Sequence, residues 1–587
     1  MRLKSQLPSH KAIVKNDQTS HCLPRPIPPT FERNERPPMR KTVRLTWLSL
    51  WLFATGVVSF TTISLAADLP SADAPIEQVI DQFINERLVT EKVTPAPQAD
   101  DLNLLRRLSL DLAGRIPTSA EAQAFAANTS PTKRVELVDR LLASPDFPLH
   151  QRNELDRLLL AHKPNDGEFR KYLLWATQQN RPWDAMFRDM LIGSEADENQ
   201  KGALTFVKSR ARELDDLTND TASLFFGVNV SCAKCHDHPL AQDWKQDHFY
   251  GMTSFFSRTY LTKKNLLAEK QVGEVKFSTK KEGQKQAAFL FLTGATISEP
   301  MVERTKEQLK ELDEVVKKQT QDDNAPPPEK PSFSPREKLV EVALRAEDNR
   351  FFARNCVNRI WAQLFSRGLV DPVDQMHSAN PPTHPELLDW LTRDLVAHNY
   401  DMKRLIRGIV LSQTYSRSSE WISGELPSAA IYAVAKVKPL TPRQYALSLH
   451  MAAYNPTQWP AADQPDKWAQ RREQLENTAN GWSNMFEVPG EGFQVAVDEA
   501  LLFTNNKRIE DEFLRDSGDR LVGYLKTLSD NSALIDAAFW SVNSRPPRDE
   551  ERAALNDYLQ KHSTDRIVAI RQIVWALLTS PELRVCF

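Results

Sequence analysis

Cys232-Ala233-Lys234-Cys235-His236 is the stretch whose residue types and spacing speak most directly of chemistry. Two thiols three residues apart fall on one side of a helical turn, where they can add to the two vinyl groups of one haem as thioethers. The adjacent His236 then points its imidazole at the iron as proximal ligand. The expected cofactor is therefore a covalently attached haem c on Cys232, Cys235 and His236. A second reading keeps the residues and changes the metal. Thiolate and imidazole also suit zinc, with Cys232, Cys235, His236 and His238 as candidates; adjacent His236 does not easily join both cysteines in one tetrahedron, whereas His238 or a distant residue can. A redox disulfide is a third reading, although such pairs usually sit in a βαβ context that the flanking pattern lacks. His248 and Met252 are of suitable type for a second axial ligand. Phe225, Phe226, Phe249, Tyr250, Phe255 and Phe256 either wall a haem crevice or form ordinary core.

A second polar group follows in the later half: Asp371, Asp374, His377, His384, Glu386 and Asp389. Histidine with carboxylates can bind metal or move protons. The plainer reading is local: Pro385 and Glu386 suit a helix start, and aspartates suit turns and caps. Cys356 lies on an apolar helical face and reads as a buried free thiol. Five cysteines in 587 residues are too few for a disulfide framework. Nucleophile elbow, phosphate loop and dinucleotide fingerprint are all missing.

The elements that must carry these residues read as helices. Leu104, Leu105, Leu108 and Leu112 recur at three- and four-residue intervals, as do Val138, Leu141 and Leu142 before the stop at Ser144-Pro145. Phe352, Val357, Ile360, Trp361, Leu364 and Phe365 form a later stripe, and Leu387, Leu391 and Leu395 another. Asn399 reads as a helix stop and Asp401 as the N-cap of a helix facing inward through Leu405, Ile406, Ile409 and Val410. Ile567, Ile570, Val574, Leu577 and Leu578 line the last helix. Between the two helical stretches, residues 259–334 are polar and mixed, with a short apolar run at 287–292 that suits a strand or two. A charged helical run at 303–321 and the triplet Pro326-Pro327-Pro328 follow. The expectation is a mainly α protein: helical domains at 75–258 and 335–585, joined by a charged, Pro-rich linker at 259–334 with possible short strands.

The formal net charge of -2 gives no pull toward nucleic acid. Residues 1–67 read as an extension and address. Met39-Arg40-Lys41 and Arg44 precede an apolar run at 45–65, and Ser64-Leu65-Ala66 suits cleavage before Ala67. The run is long enough to remain as a membrane anchor instead, and translation from Met39 rather than Met1 would leave an ordinary signal. Either way the body is expected in the periplasm or cell envelope, the compartment in which thioether haem is attached.

Leu104-Leu105-Arg106-Arg107-Leu108-Ser109-Leu110-Asp111-Leu112-Ala113-Gly114-Arg115-Ile116-Pro117-Thr118 resembles the opening of a cytochrome-associated domain of planctomycete bacteria, domain of unknown function 1549. Its later signature is similar to Leu224–Val228, Cys232–Pro239 (which adds Asp237 and His238 to the motif) and Trp244–Asp247. Asn358–Trp361, Gly368–Asp374, Asn380–Trp390, Ser412–Tyr415, Ser544–Pro547 and Trp575–Leu578 resemble its usual companion, domain of unknown function 1553. The resemblance implies a planctomycete cell-envelope protein, often encoded near sulfatase-like genes, and delivers no activity of its own. Joined to the motif, the expected function is an exported haem c-binding protein that passes electrons to an unknown redox partner, with a link to polysaccharide or sulfated-glycan breakdown. The alternatives are a non-enzymatic envelope scaffold with a structural Cys/His metal site, and a hydrolase with its His/Asp site in the second domain. The chain departs from its relatives at Gln151–Leu158, where they carry Trp-containing runs, and at its Cys586-Phe587 end.

Overall fold

Helix follows helix because apolar residues recur every three or four positions and capping residues stand at the breaks. The computed structural model describes residues 70–587, apart from 72, 161–162, 164–166, 240, 280–282, 347, 349, 462–463, 489–502 and 505. The signal or anchor expected at 45–65 lies outside the described residues. Among the described residues, no helix is long and apolar enough to cross a membrane.

The mainly α expectation holds. Helix Lys133–Ala143 buries Val138, Leu141 and Leu142 and stops at Ser144. Helix Pro385–Ala397 begins after His384 with proline in its first turn, where the missing N–H is not needed. Asn399 adopts a left-handed conformation, φ 54°, and the Asp401 carboxylate then accepts the Arg404 N–H at 3.0 Å to open helix Met402–Leu411. One element was not expected. Helix Asp101–Leu108 continues as a π-helical turn, Ser109–Ala113. The wider turn shifts the register, so Leu112 stays in one core while Leu110 enters another.

Those two cores divide the molecule differently from the sequence. The first runs from Ile76 to Ala433 and unites helices of the first expected domain with Pro335–Ala343, Arg350–Phe365, Pro385–Ala397 and Met402–Leu411 of the second. The second core runs from Leu440 to Cys586 and takes in only Leu110 and Ile116 from the earlier half. The proline-rich segment is thus a covalent link between helices that share one core, not a spacer between two separate bodies.

The segment 259–334 does carry short strands, as antiparallel pairs Thr259–Leu261 with Leu267–Glu269, Lys276–Thr279 with Gly283–Gln286, and Phe289–Leu290 with Thr296–Ile297. Phe291 and Leu292, at the tip of the last pair, are buried in the first core. Helix Lys306–Gln321 follows, started by a reciprocal Thr305–Gln308 cap and largely exposed.

Candidate functional site

The Cys232–His236 segment is held from both sides. Helix Leu214–Phe226 ends at Gly227, whose φ of 68° and close neighbours leave no room for a side chain: a Cβ there would meet Asn355 Oδ1 at 2.8 Å. The chain then lies along residues 374–376. Met376 N–H donates to the Gly227 carbonyl at 2.9 Å, Val228 bridges Gln375, and Asn229 N–H donates to the Asp374 carbonyl at 2.8 Å. Asn229 Oδ1 in turn accepts the Ser231 N–H at 3.1 Å and hydroxyl at 2.6 Å, starting a single 3-10 turn, Ser231–Lys234. Ala233 is buried as the anchor of that turn, and Cys232 and Cys235 are exposed free thiols.

Helix Gln246–Ser254 braces the other side. The Lys234 carbonyl accepts from Tyr250 O–H at 3.1 Å and Gln246 Nε2 at 3.3 Å, and Asp237 Oδ1 accepts the Gln246 N–H at 3.3 Å. Lys234 Nζ pairs with Asp215. Tyr250 stacks on Phe277, with ring centroids 4.3 Å apart, bringing the strand segment against this helix.

Three histidines lie near the thiols, and their hydrogen bonds distinguish them. His236 Nδ1 is 2.7 Å from the Asp237 carbonyl, which can only accept. Nδ1 therefore carries a proton, and in the neutral ring the lone pair is on Nε2. His238 Nδ1 accepts the Ala241 N–H at 3.0 Å, and His248 Nδ1 accepts the Lys245 N–H at 3.2 Å. A backbone N–H can only donate, so the proton of each neutral ring sits on Nε2. Burial lowers the His238 pKa, helped by His377 and His236, and burial lowers that of His248. Both are neutral rings whose outer nitrogen offers a proton. Only His236 of the three offers an outer lone pair, held by the carbonyl contact that orients metal-bound histidines.

The remaining expectations fall as follows. Met252 is fully buried in the first core, as are Phe225, Phe226, Phe249, Phe255 and Phe256. These phenylalanines are core, and Tyr250 hydrogen-bonds the motif backbone. The polar group of the later half is dispersed. Asp371 pairs with Arg367 at 2.9 Å, Asp389 pairs with Arg354, and Asp374 carries the Asn229 contact. His377 lies beside His238, ring centroids 6.1 Å apart, and Glu386 is exposed in a first helical turn. His384 is buried against Tyr432 with Nδ1 3.0 Å from Thr383 Oγ1, and burial lowers its pKa to about 4. Among the described residues, no three His, Cys, Asp or Glu side chains gather as a metal-holding group. Cys356 is a buried free thiol, whose pKa burial raises. The role of residues 374–376 in seating the segment before the motif was not legible in the sequence, since its three main ties are backbone hydrogen bonds and a backbone bridge.

Residues 79–260 match the family described as Protein of unknown function (DUF1549), and residues 335–477 match Protein of unknown function (DUF1553). The chain belongs to the family that joins these two domains in this order. No curated protein and no solved structure matches it. In this DUF1549–DUF1553 chain the motif belongs to the first domain, while the strand of backbone that seats it, residues 374–376, belongs to the second.

Proposed function

We propose that this chain is an exported redox protein of the cell envelope that carries one haem c, with Cys232 and Cys235 as the thioether residues and His236 as the proximal ligand. The observation that carries the reading is the polarity of the His236 ring: Nδ1 donates to the Asp237 carbonyl, and Nε2 is left as the outward lone pair. Two exposed thiols beside it on one braced turn meet the other requirement, access for the vinyl groups. The residues therefore fit the group. When bound, the haem supplies one-electron chemistry.

The protein's part is positioning. Ala233 fixes the turn in the core, the Lys234 carbonyl is clamped by Tyr250 and Gln246, and the backbone of residues 374–376 fixes the entry. On an exposed turn of this kind a bound haem would lie within reach of a redox partner. The zinc reading gains nothing from His238, whose Nδ1 is occupied by the Ala241 N–H.

Expression with its N-terminal address in a bacterium that matures c-type cytochromes tests the reading. The expected product is red, shows a Soret band and a haem-staining band that survives denaturation, and gains the mass of one haem. C232A/C235A abolishes all three. A colourless chain of unmodified mass from a host that matures a control cytochrome overturns it.

A further inference from the structure

Apart from the thiol turn, the molecule holds a cleft of about 760 Å³, lined by Asp111, His150, Glu154, Arg157, Arg367 and Lys436 among others. Its volume lies in the range of small-molecule sites. Its walls come from distant parts of the chain. The π-helical turn Ser109–Ala113 brings Asp111, and helix Asp146–Leu159 brings His150, Glu154 and Arg157 on one face at four- and three-residue spacing. Residues 436–441 and Cys586 close the opposite side.

The charge lining this cleft is uneven, with Arg157, Arg367, Lys436 and Lys438 against Asp111, Glu154 and Asp371. Its carboxylates are engaged: Asp111 accepts from Lys438 Nζ at 2.5 Å and Tyr415 O–H at 2.8 Å, Glu154 pairs with Arg157 at 2.7 Å, and Asp371 with Arg367 at 2.9 Å. The Gln444 carboxamide is spent on the Thr441 and Leu110 backbone. The cations have donors in reserve. A guanidinium carries five N–H bonds, and Arg157 and Arg367 each meet their carboxylate through one terminal nitrogen. Arg367 Nε is buried with no partner, and Lys436 stands exposed at the rim. At the floor, His150 is 3% exposed and lines the cleft. It fits only because residue 114 is glycine, where a Cβ would stand 2.6 Å from His150 Nδ1.

We infer that this cleft is a second ligand site and takes a small molecule bearing an oxyanion, a carboxylate or a phosphate, bound by Arg157, Arg367 and Lys436. A cleft with cations in excess and a buried guanidinium N–H left without a partner calls for an acceptor-rich, negatively charged ligand. Nothing in this depends on the thiol turn.

Calorimetric titration of the full mature chain tests it, with inorganic phosphate in one arm and succinate in the other, at ionic strength near 0.15 M to screen loose surface association. One saturable site per chain is expected in at least one arm, and the tighter arm names the class. R157Q and K436A are each expected to weaken that binding about tenfold. Because Lys436 is exposed, K436A leaves the fold intact and keeps the test decisive. Lack of saturation in both arms, or an affinity unchanged in either variant, overturns the inference.

Discussion

A histidine's neighbours decide what it can do. His236 and His238 are two residues apart and both belong to the motif, yet one presents a lone pair and the other a proton. The pattern of residue types was fully legible in the sequence. The tautomers were not, because they depend on whether a backbone carbonyl or a backbone N–H lies beside Nδ1. The consequence is measurable. H236A is expected to change the visible spectrum of the haem product, whereas H238A leaves the spectrum within a few nanometres of wild type. Equal spectral damage from both would show that the ring polarity carries no ligand choice. A buried histidine gives a second prediction. Burial holds His384 near pKa 4, against about 6.5 in an unfolded chain. Above pH 6.5 both states are neutral. As pH falls from 6.5 toward 4 the unfolded chain alone takes the proton, so stability is lost across that window, on the order of 3 kcal/mol in all. Urea unfolding of H384N between pH 4 and 7 is expected to show a shallower pH slope than wild type.

Elements show where periodicity is enough and where it is not. Long amphipathic helices were readable because one face of each is buried along its whole length, as Leu405, Ile406, Ile409 and Val410 are. Their ends were readable too, because Asp401 and Asn399 act locally. The two-residue strand Phe289–Leu290 was visible only as part of an apolar run, since the tip residues that follow it are apolar for tertiary reasons; its partner Thr296–Ile297 lies outside that run. Phe291 leaves the hairpin to pack edge-on against Phe226, centroids 5.2 Å apart, and is fully buried. The hairpin is therefore a peg in the main core. F291A is expected to cost about 3–5 kcal/mol in urea unfolding, against about 1 kcal/mol for removing the Asp401 cap in D401A. A loss for F291A no greater than for D401A would place the hairpin outside the cooperative unit. The π-helical turn was illegible for a different reason: Leu108 and Leu112 fit α spacing, and only the demand of Leu110 for a second core widens the turn.

Over the whole molecule, contacts between early and late residues are the ones that matter most. Sequence composition placed a boundary at the proline triplet because that segment cannot bury itself, which is true of the segment and not of the helices on either side. Arg115 and Arg472 share the buried Asp146 carboxylate, at 2.9 and 2.8 Å. Arg472 also reaches Glu476, which Arg152 contacts from the first domain. Burial alone would raise the Glu476 pKa, but Arg472, Arg443 and Arg152 outweigh it and hold it near 2. Such a network stabilises little over an apolar replacement, yet leaving one buried charge alone costs about 3–5 kcal/mol. Arg107 adds backbone ties to Tyr415, Arg417 and Phe587. The early and late halves should therefore not stand alone. A protease site placed within Pro326–Pro328, once cut, is expected to give two chains that co-elute in gel filtration and melt in one transition. Residues 67–325 expressed by themselves would expose the face of the shared core and carry Asp146 without Arg472, so they are expected to aggregate or lack a cooperative transition. A soluble, cooperatively folded early half would mean that its helices close their own core, and that the thiol turn keeps its geometry without the backbone of residues 374–376.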